Sequence, residues 1–336
     1  MRRSVWALLA ALCILLLVFS EQALESAQQG LLLWWRSVLP ALFPFYVLTS
    51  MLYRSGAFAA LSRLFSRSPL PCLLFGGVAG TPTGARVCVL LGLEPYAACC
   101  NLMSPMFLLG VVSLGLCGER AVFLPLALSH YGGALLLLLG TRLLSGGRSG
   151  DAPVPAIPAQ GGAMEDIADG MRAMLTVGGC IVFFYTIAST AVSALLHGRA
   201  PALSAMVVGL AEVTAGCARI AELLLPARLK LGMLAFVTSF GGVCILAQTV
   251  LVAGLTRPGR YLVGKLAHGC LSALIAYAIA PLFPGCVSVW SDASELYAQN
   301  ALMGMTFLVS MGLGLLTSYL AALLMQRARA ARPGPS

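Results

Sequence analysis

Glycines and polar residues interrupt an apolar part of the first half of this sequence, and such a pattern is suited to binding a small polar ligand. The run GGVAGTPTG at 76–84 holds four glycines and one proline, more helix breakers than an ordinary membrane-spanning helix tolerates. The expected shape is a re-entrant hairpin of two short helices joined by a polar tip. Irregular backbone at membrane depth persists only where protein covers it or where it lines a water-filled cavity. The tip is therefore a candidate for ligand contact, as is the second interruption NLMSP at 101–105.

Two interruptions of the same kind lie in the second half. The run GLAEVTAG at 209–216 places Glu212 well inside an apolar stretch, and SFGG follows at 239–242. An intramembrane carboxylate is costly and marks a functional site by default. We therefore predict that Glu212 and Thr214 take part in binding a coupling ion or proton. The structural alternative is an ion pair between Glu212 and Arg219, seven residues further on.

The composition indicates a helical membrane protein. Of the 336 residues, 59% are hydrophobic and 10% are charged, whereas a soluble domain carries about 25% charged residues. Apolar runs of about 18 residues or more recur along the chain, which is enough to cross the hydrocarbon core as a helix. Stretches such as ALLLLLG at 134–140 lack the alternation of a membrane β-barrel. We predict an all-α, polytopic membrane protein.

Several other functional classes are disfavoured. The net charge is +9, but the arginines cluster at segment ends, as the positive-inside rule expects for a membrane protein rather than a nucleic-acid-binding one. The eleven cysteines include no CxxC pair, and the three histidines, His130, His197 and His268, lack metal-ligand spacing. The sequence contains no GxSxG, HExxH or P-loop motif. We expect no enzyme activity, no catalytic residue, no metal, no cofactor and no nucleic-acid partner.

The interruptions must be positioned by a framework of membrane helices, for which we predict eight crossings plus two re-entrant hairpins. The first run, 5–19, follows a basic start but lacks a clean cleavage site, so we favour an uncleaved first helix over a secretory signal. The second run, 31–53, should be kinked by Pro40 and Pro44. Further spans are expected at 97–116, 122–143, 173–196, 231–253, 265–283 and 301–325, with hairpins at 71–92 and 203–225.

The order of these elements repeats in the two halves. Each half has a glycine-rich broken segment, then an interrupted helix, then an uninterrupted one, and paired interrupted segments point to a transporter binding site. With the amino terminus inside, the two hairpins enter from opposite faces and the basic residues at 257–265 lie inside. Arg228 and Lys230 would lie outside, against the positive-inside rule. Placing the second hairpin at 231–253 would repair that but break the inverted symmetry, so we prefer 203–225.

These motifs resemble the sporulation integral membrane protein YlbJ family, also called SpoVV, over about residues 30–285. The family patterns are G-x-P-x-G-A-[KR], N-x-x-x-P-x-F-x-x-G-x-V-S-x-G, G-L-x-E-[IV]-T-x-G and S-F-G-G-x-x-x-x-x-Q. The matching residues are Gly80, Pro82, Gly84, Ala85 and Arg86; Asn101, Pro105, Phe107, Gly110, Val111, Ser113 and Gly115; Gly209, Leu210, Glu212, Val213, Thr214 and Gly216; and Ser239 to Gly242 with Gln248. Departures at Thr81, Thr83 and Met103–Ser104 leave the substrate preference open.

The resemblance implies membership of the nucleoside-recognition or "Gate" domain group, which is similar to concentrative nucleoside transporters. It also implies transport of dipicolinic acid from the mother cell across the outer forespore membrane. Composition and spacing alone indicate only a transporter-like protein. The alternatives are a transporter of nucleosides or other small solutes, and a non-transporting membrane scaffold of a sporulation complex.

Dipicolinate is a planar dianion, so its site should offer hydroxyl and amide donors, helix amino termini and one cation. An arginine fork matches carboxylate oxygens, although an arginine near a segment end also reaches the membrane interface. For the glycines, the structural alternative is tight helix packing. The predicted substrate-binding residues are Thr81, Thr83, Arg86, Asn101, Ser104, Ser239 and Gln248.

The predicted organisation has five parts. These are an amino-terminal membrane helix (1–30), a first Gate-like repeat (31–144), a cytoplasmic linker (145–164), a second Gate-like repeat (165–285), and a carboxyl-terminal helix with a basic tail (286–336). Both termini are expected on the cytoplasmic side of the bacterial cytoplasmic membrane, which for a sporulating cell means the outer forespore membrane. The expected partners are the lipid bilayer, a small-molecule substrate, and further copies of the chain or other sporulation membrane proteins.

Overall fold

Helices and turns make up the regular structure, as the sequence predicted. The computed structural model describes residues 2–56, 69–144, 162–196 and 198–288, and this part of the chain contains no β-strand. The predicted span at 301–325, the basic tail and most of the linker at 145–164 lie outside the described residues. The α-helices are α1 (Arg2–Val18), α2 (Ser20–Leu33), α3 (Leu39–Arg54), α4 (Leu70–Ala79), α5 (Thr83–Leu90), α6 (Ala97–Cys100), α7 (Phe123–Leu144), α8 (Ala163–Leu196), α9 (Pro201–Ala211), α10 (Val213–Glu222), α11 (Ala227–Phe240), α12 (Gly242–Ala253), α13 (Pro258–Ile279) and α14 (Pro284–Ser288).

Five helical stretches of the described chain are long and apolar enough to cross a membrane. They are Ser20–Arg54, Arg120–Leu143, Ala163–Leu196, Ala227–Ala253 and Pro258–Leu282. Shorter apolar helices lie at Ser4–Val18, Leu70–Ala79, Phe107–Leu116 and Pro201–Ala211. A helical membrane protein is therefore supported, whereas the count of eight crossings with two re-entrant hairpins stays a prediction.

The second predicted span is part of a 35-residue helical stretch that runs from α2 into α3. A π-helical segment, Trp34–Val38, joins the two helices just before Pro40. Proline has no N–H and crowds the carbonyl four residues earlier, and a π-helical segment is one way for a helix to absorb this. At the end of α3, Arg54 forms an ion pair with Asp166 at the start of α8. This ion pair links the end of α3 to the start of α8.

Two pairs of short helices fold back on themselves at the glycine-rich segments. Gly76 of α4 and Gly84 of α5 would lie about 12 Å apart in a continuous helix, but a Cβ on Gly76 would lie 2.9 Å from the Cα of Gly84. In the second pair, a Cβ on Gly216 of α10 would lie 2.1 Å from the Cα of Gly209 in α9. The backbones therefore touch in both pairs, and tight packing accounts for these four glycines.

The two halves of the chain interlock around α11 and α13. Helix α13 packs against both α7 and α11, while α5 contacts α12 and α10 contacts the π-helix Phe107–Leu116. Each short-helix pair thus rests on an interrupted helix of the other half. Thirteen of the fourteen residues of α11 are buried, as expected for a helix at the centre of a bundle.

Candidate functional site

Both interrupted helices break near the same place in the bundle. In the first half, α6 ends at Cys100, residues 101–104 have no regular secondary structure, and the following helix is capped by Ser104, whose Oγ accepts from the Phe107 N–H at 3.2 Å. In the second half, Gly241 separates α11 from α12 with φ +88°, a backbone conformation that glycine adopts readily. A Cβ on Gly241 would lie 3.7 Å from the Met103 methyl group, so the two breaks are neighbours.

His130 and Tyr131 on α7 bind the backbone that the first break leaves unpaired. The Met103 N–H donates to His130 Nε2 at 3.1 Å, and the Tyr131 hydroxyl donates to the Met103 carbonyl at 3.0 Å. Since Nε2 accepts a hydrogen bond, the neutral imidazole carries its hydrogen on Nδ1. That hydrogen points to Ser239 Oγ, 2.8 Å away on α11. His130 therefore ties both breaks together.

Lys265 reaches the same region from α13 and is buried, with 3% of its surface exposed. Its Nζ donates to the Asn101 carbonyl at 2.9 Å and lies 3.2 Å from His268 Nδ1. The His268 Nε2–H in turn donates to the His130 carbonyl at 2.9 Å. None of the ion pairs formed by the described residues involves Lys265. The inside location of residues 257–265 stays a prediction, and within it the Lys265 side chain projects into the core of the bundle.

Asn101 is the centre of a cluster of hydroxyl groups. Its amide Nδ2 lies 3.0 Å from Thr81 Oγ1, 3.2 Å from Thr249 Oγ1 and 2.6 Å from the Tyr261 hydroxyl. Thr249 donates its own hydrogen to the Ile245 carbonyl, so it can only accept from the amide. The opposite amide atom, Asn101 Oδ1, is buried and has no hydrogen-bond partner within the described chain. Within the described residues, the Asn101 amide hydrogens are directed at these hydroxyl groups and Oδ1 is the atom left for a further contact, so its role in substrate binding stays a prediction.

These residues form one continuous polar cluster in an apolar interior, which we call the central cluster. Its members are Thr81, Asn101, His130, Ser239, Thr249, Tyr261, Lys265 and His268. A buried, hydrogen-bonded network of this kind fixes the geometry of the helix breaks. Among the described residues it also brings a lysine without an ion-pair partner and an amide oxygen without a hydrogen-bond partner into a single region, a combination suited to a ligand that carries both negative charge and a hydrogen-bond donor.

Glu212 and Thr214 lie at the break between α9 and α10, and both are buried. The Glu212 carboxylate accepts from the backbone N–H groups of Thr214 at 3.1 Å and Ala215 at 2.7 Å, and so caps α10. Arg219 instead donates to Ser204 and Ser189, at 2.9 and 2.5 Å. The alternative of a Glu212–Arg219 ion pair is therefore wrong. A role for Glu212 in ion or proton coupling stays a prediction.

The remaining predicted substrate-binding residues lie at or beyond the edge of the central cluster. Thr83 is the first residue of α5 and is half-buried, and Arg86, further along α5, is exposed. Gln248 donates to Cys244 Sγ at 3.3 Å within α12, next to Thr249. The structure thus brings Thr81, Asn101 and Ser239 into the cluster, whereas within the described residues Arg86 forms no hydrogen bond or ion pair with it.

Several cluster residues were missed because their partners are distant in sequence. His130 and Ser239 are separated by 109 residues, and Asn101 and Lys265 by 164. One signal was present: Lys265 and His268 are ionisable residues three positions apart in an apolar stretch, where such residues are rare and usually functional. No group of three or more histidine, cysteine or acidic residues in the described ranges is arranged to hold a metal ion.

Comparison with known proteins adds one relationship. The chain is similar to the sporulation integral membrane protein YlbJ of Bacillus subtilis (strain 168), with 22% identity over 333 residues, covering 81% of this chain and 80% of that protein. No protein-family model matches the chain, and no solved structure matches it. The similarity supports, at low identity, the resemblance carried by the four motifs. The grouping with Gate-domain proteins and nucleoside transporters stays a prediction.

Proposed function

We propose that this protein is a membrane transporter for a small carboxylate anion, with dipicolinic acid as the first substrate to test. A role in sporulation is supported by the similarity to YlbJ, which is named a sporulation integral membrane protein. The outer forespore membrane is the location that this role favours. The transport activity, the substrate and the forespore membrane are all parts of the proposal.

The observation that carries the proposal is the burial of the Lys265 amino group beside the Asn101 break, with no ion-pair partner among the described residues. A charge taken out of water is unfavourable unless it is paired and hydrogen-bonded. Lysine donates three hydrogen bonds when charged, and the described contacts of its Nζ are a carbonyl and an imidazole nitrogen, both neutral acceptors. A bound carboxylate would neutralise this charge at the place where two interrupted helices meet.

Asn101 Oδ1, which has no hydrogen-bond partner among the described residues, further limits the chemistry of the ligand. An amide oxygen accepts hydrogen bonds and binds cations, and it repels a bare carboxylate. Two ligand states would satisfy both groups. A dicarboxylic acid could place its charged carboxylate on Lys265 and a protonated carboxyl group on Asn101, or a fully charged dianion could bind together with a coupling cation.

Uptake into proteoliposomes tests the proposal. The purified full chain should accumulate labelled dipicolinate in a saturable manner and should take up nucleosides weakly or not at all. Replacing Lys265 by methionine keeps the length of the side chain but removes its charge, and we expect kcat/KM for dipicolinate to fall about 100-fold, as for other buried charges that lose their partner.

Lys230→Met is the matched control. Lys230 is also buried and donates to a backbone carbonyl, that of Ala221 at 2.7 Å, but it lies in the first turn of α11 and binds the end of α10. The Lys230→Met variant should have a kcat/KM for dipicolinate close to that of the unaltered protein. If the protein takes up neither dipicolinate nor nucleosides, that result contradicts the transporter proposal and favours the scaffold alternative.

A further inference from the structure

A cavity of about 220 Å³ lies beside the start of α13 and is lined by both halves of the chain. One wall is formed by Glu94 and Ala98, and the other by Arg257, Arg260 and Tyr261. Arg257 is exposed and Arg260 is half-buried, so positive charge borders the solvent side of the cavity. Tyr261 is buried, with 5% of its surface exposed, and lies on the inner side.

Glu94 holds the two walls of this cavity together. Its carboxylate accepts from the Thr256 N–H at 2.8 Å, the Thr256 hydroxyl at 2.6 Å and the Arg257 N–H at 3.0 Å. Burial alone would raise the pKa of Glu94, but the hydrogen bonds from Thr256 and Arg257 outweigh it, and the pKa lies below its ordinary value. The carboxylate is therefore charged at neutral pH and fixes the position of Arg257.

One residue, Tyr261, belongs both to the central cluster and to the lining of the cavity. Its hydroxyl lies 2.6 Å from Asn101 Nδ2. Tyr261 and Lys265 lie four residues apart in α13, so Lys265 lies about 6 Å further along the same side of the helix, and Arg257 directly precedes α13. Positive charge is thus placed at the mouth of the cavity, at Arg257, and again beyond Tyr261, at Lys265.

We propose that this cavity is the loading vestibule for the carboxylate substrate, in which Arg257 and Arg260 bind the anion before it passes Tyr261 to reach Lys265. This inference rests on the proposed function. Two cationic side chains against the single carboxylate of Glu94 leave the cavity lining with a net positive charge, which raises the local concentration of an anion. The topology expected from the sequence places residues 257–265 on the cytoplasmic side, where a substrate made in the cytoplasm would be loaded.

Uptake kinetics with arginine variants test the vestibule. In Arg257→Gln and Arg260→Gln, the KM for dipicolinate should rise roughly fivefold each, because partly exposed ion pairs contribute modestly, while kcat changes less than about twofold. The double variant should show roughly a 25-fold rise if the two contributions add. Arg257→Lys retains the charge and should restore a KM near that of the unaltered protein.

Arg228→Gln serves as the matched control, because it removes the same charge from an exposed residue near the start of α11, away from the cavity. Thermal unfolding of each variant in detergent should match that of the unaltered protein. An unchanged KM in the double variant, with normal uptake by the unaltered protein, would overturn the vestibule alone. Failure of the unaltered protein to take up dipicolinate would overturn the vestibule together with the proposed function.

Discussion

Replacing Gly84 with alanine should damage the fold because the added methyl group has no room. Its Cβ would lie 1.9 Å from the Cys100 carbonyl oxygen and 2.7 Å from the carbonyl carbon. Ordinary carbon contacts are about 3.5–4.0 Å, so the backbone of α6 or of the α4–α5 pair must move by more than about 1 Å. Overpacking typically destabilises by about 1–3 kcal/mol, and we expect the upper end because the clashing atoms belong to the backbone.

The same change in the second half provides a parallel case. A Cβ on Gly216 would lie 2.1 Å from the Gly209 Cα, so Gly216→Ala should also destabilise by about 3 kcal/mol. Gly140→Ala is the control, since its Cβ would meet nothing within 4 Å, and Gly140 lies inside α7, four residues before its end. Alanine there should stabilise the helix by up to about 1 kcal/mol.

Thermal unfolding in detergent, followed by intrinsic tryptophan fluorescence, gives the assay for these three variants. The unfolding midpoint should fall by several degrees for Gly84→Ala and Gly216→Ala and should hold or rise for Gly140→Ala. Equal midpoints for all three variants would refute the close backbone contact in the short-helix pairs. If the unfolding midpoint fell for Gly84→Ala alone, the result would support the backbone contact in the first short-helix pair and refute it in the second.

Two further predictions concern charged residues outside the central cluster. Asp166→Asn should lower the free energy of unfolding by about 1.5–3 kcal/mol, because it weakens the hydrogen-bonded ion pair with Arg54. Asp169→Asn, which alters an exposed ion pair, should have little effect in the same melting experiment. If Glu212 couples transport to protons, Glu212→Gln should flatten the pH dependence of uptake while the exposed Glu222→Gln retains it. A normal pH series for Glu212→Gln would refute the coupling role and leave helix capping as its function.

The breaks in the helices were predictable because their causes are local. Four glycines and a proline cannot be accommodated in one short helix, and the Ser104–Pro105 pair is a strong signal for a helix start, with serine as the cap and proline in the first turn. The structure places a break at each of these positions. The packing of Gly76 against Gly84 agrees with the structural alternative, in which glycine is a small residue that allows close helix contact.

The composition of the central cluster was only partly predictable because it depends on the tertiary fold. Thr81, Asn101 and Ser239 stand at breaks that the sequence shows directly. His130 and Lys265 come from the uninterrupted helices α7 and α13, and nothing in their local sequence identifies the backbone groups that they bind. Charge counting uses sequence position, so it cannot detect that the Lys265 side chain is directed into the bundle.

Lys230 shows the same limit of charge counting. Lys230 and Arg228 count against a second hairpin at 203–225, because that hairpin would place both residues on the outer side of the membrane. The structure buries Lys230 and pairs it with the Ala221 carbonyl, so it is not a charge in a solvent-exposed loop. The charge count against the inverted arrangement is therefore weaker than the sequence suggested, although the topology itself stays a prediction.

The central claim is that Lys265 binds a carboxylate, and equilibrium binding tests it most directly. Titration calorimetry of dipicolinate into the purified full chain should give saturable binding to one site. The Lys265→Met variant should lose it, while Lys230→Met, with an unchanged unfolding midpoint, should retain it. Equal affinity for dipicolinate in the unaltered protein and in Lys265→Met would contradict the claim.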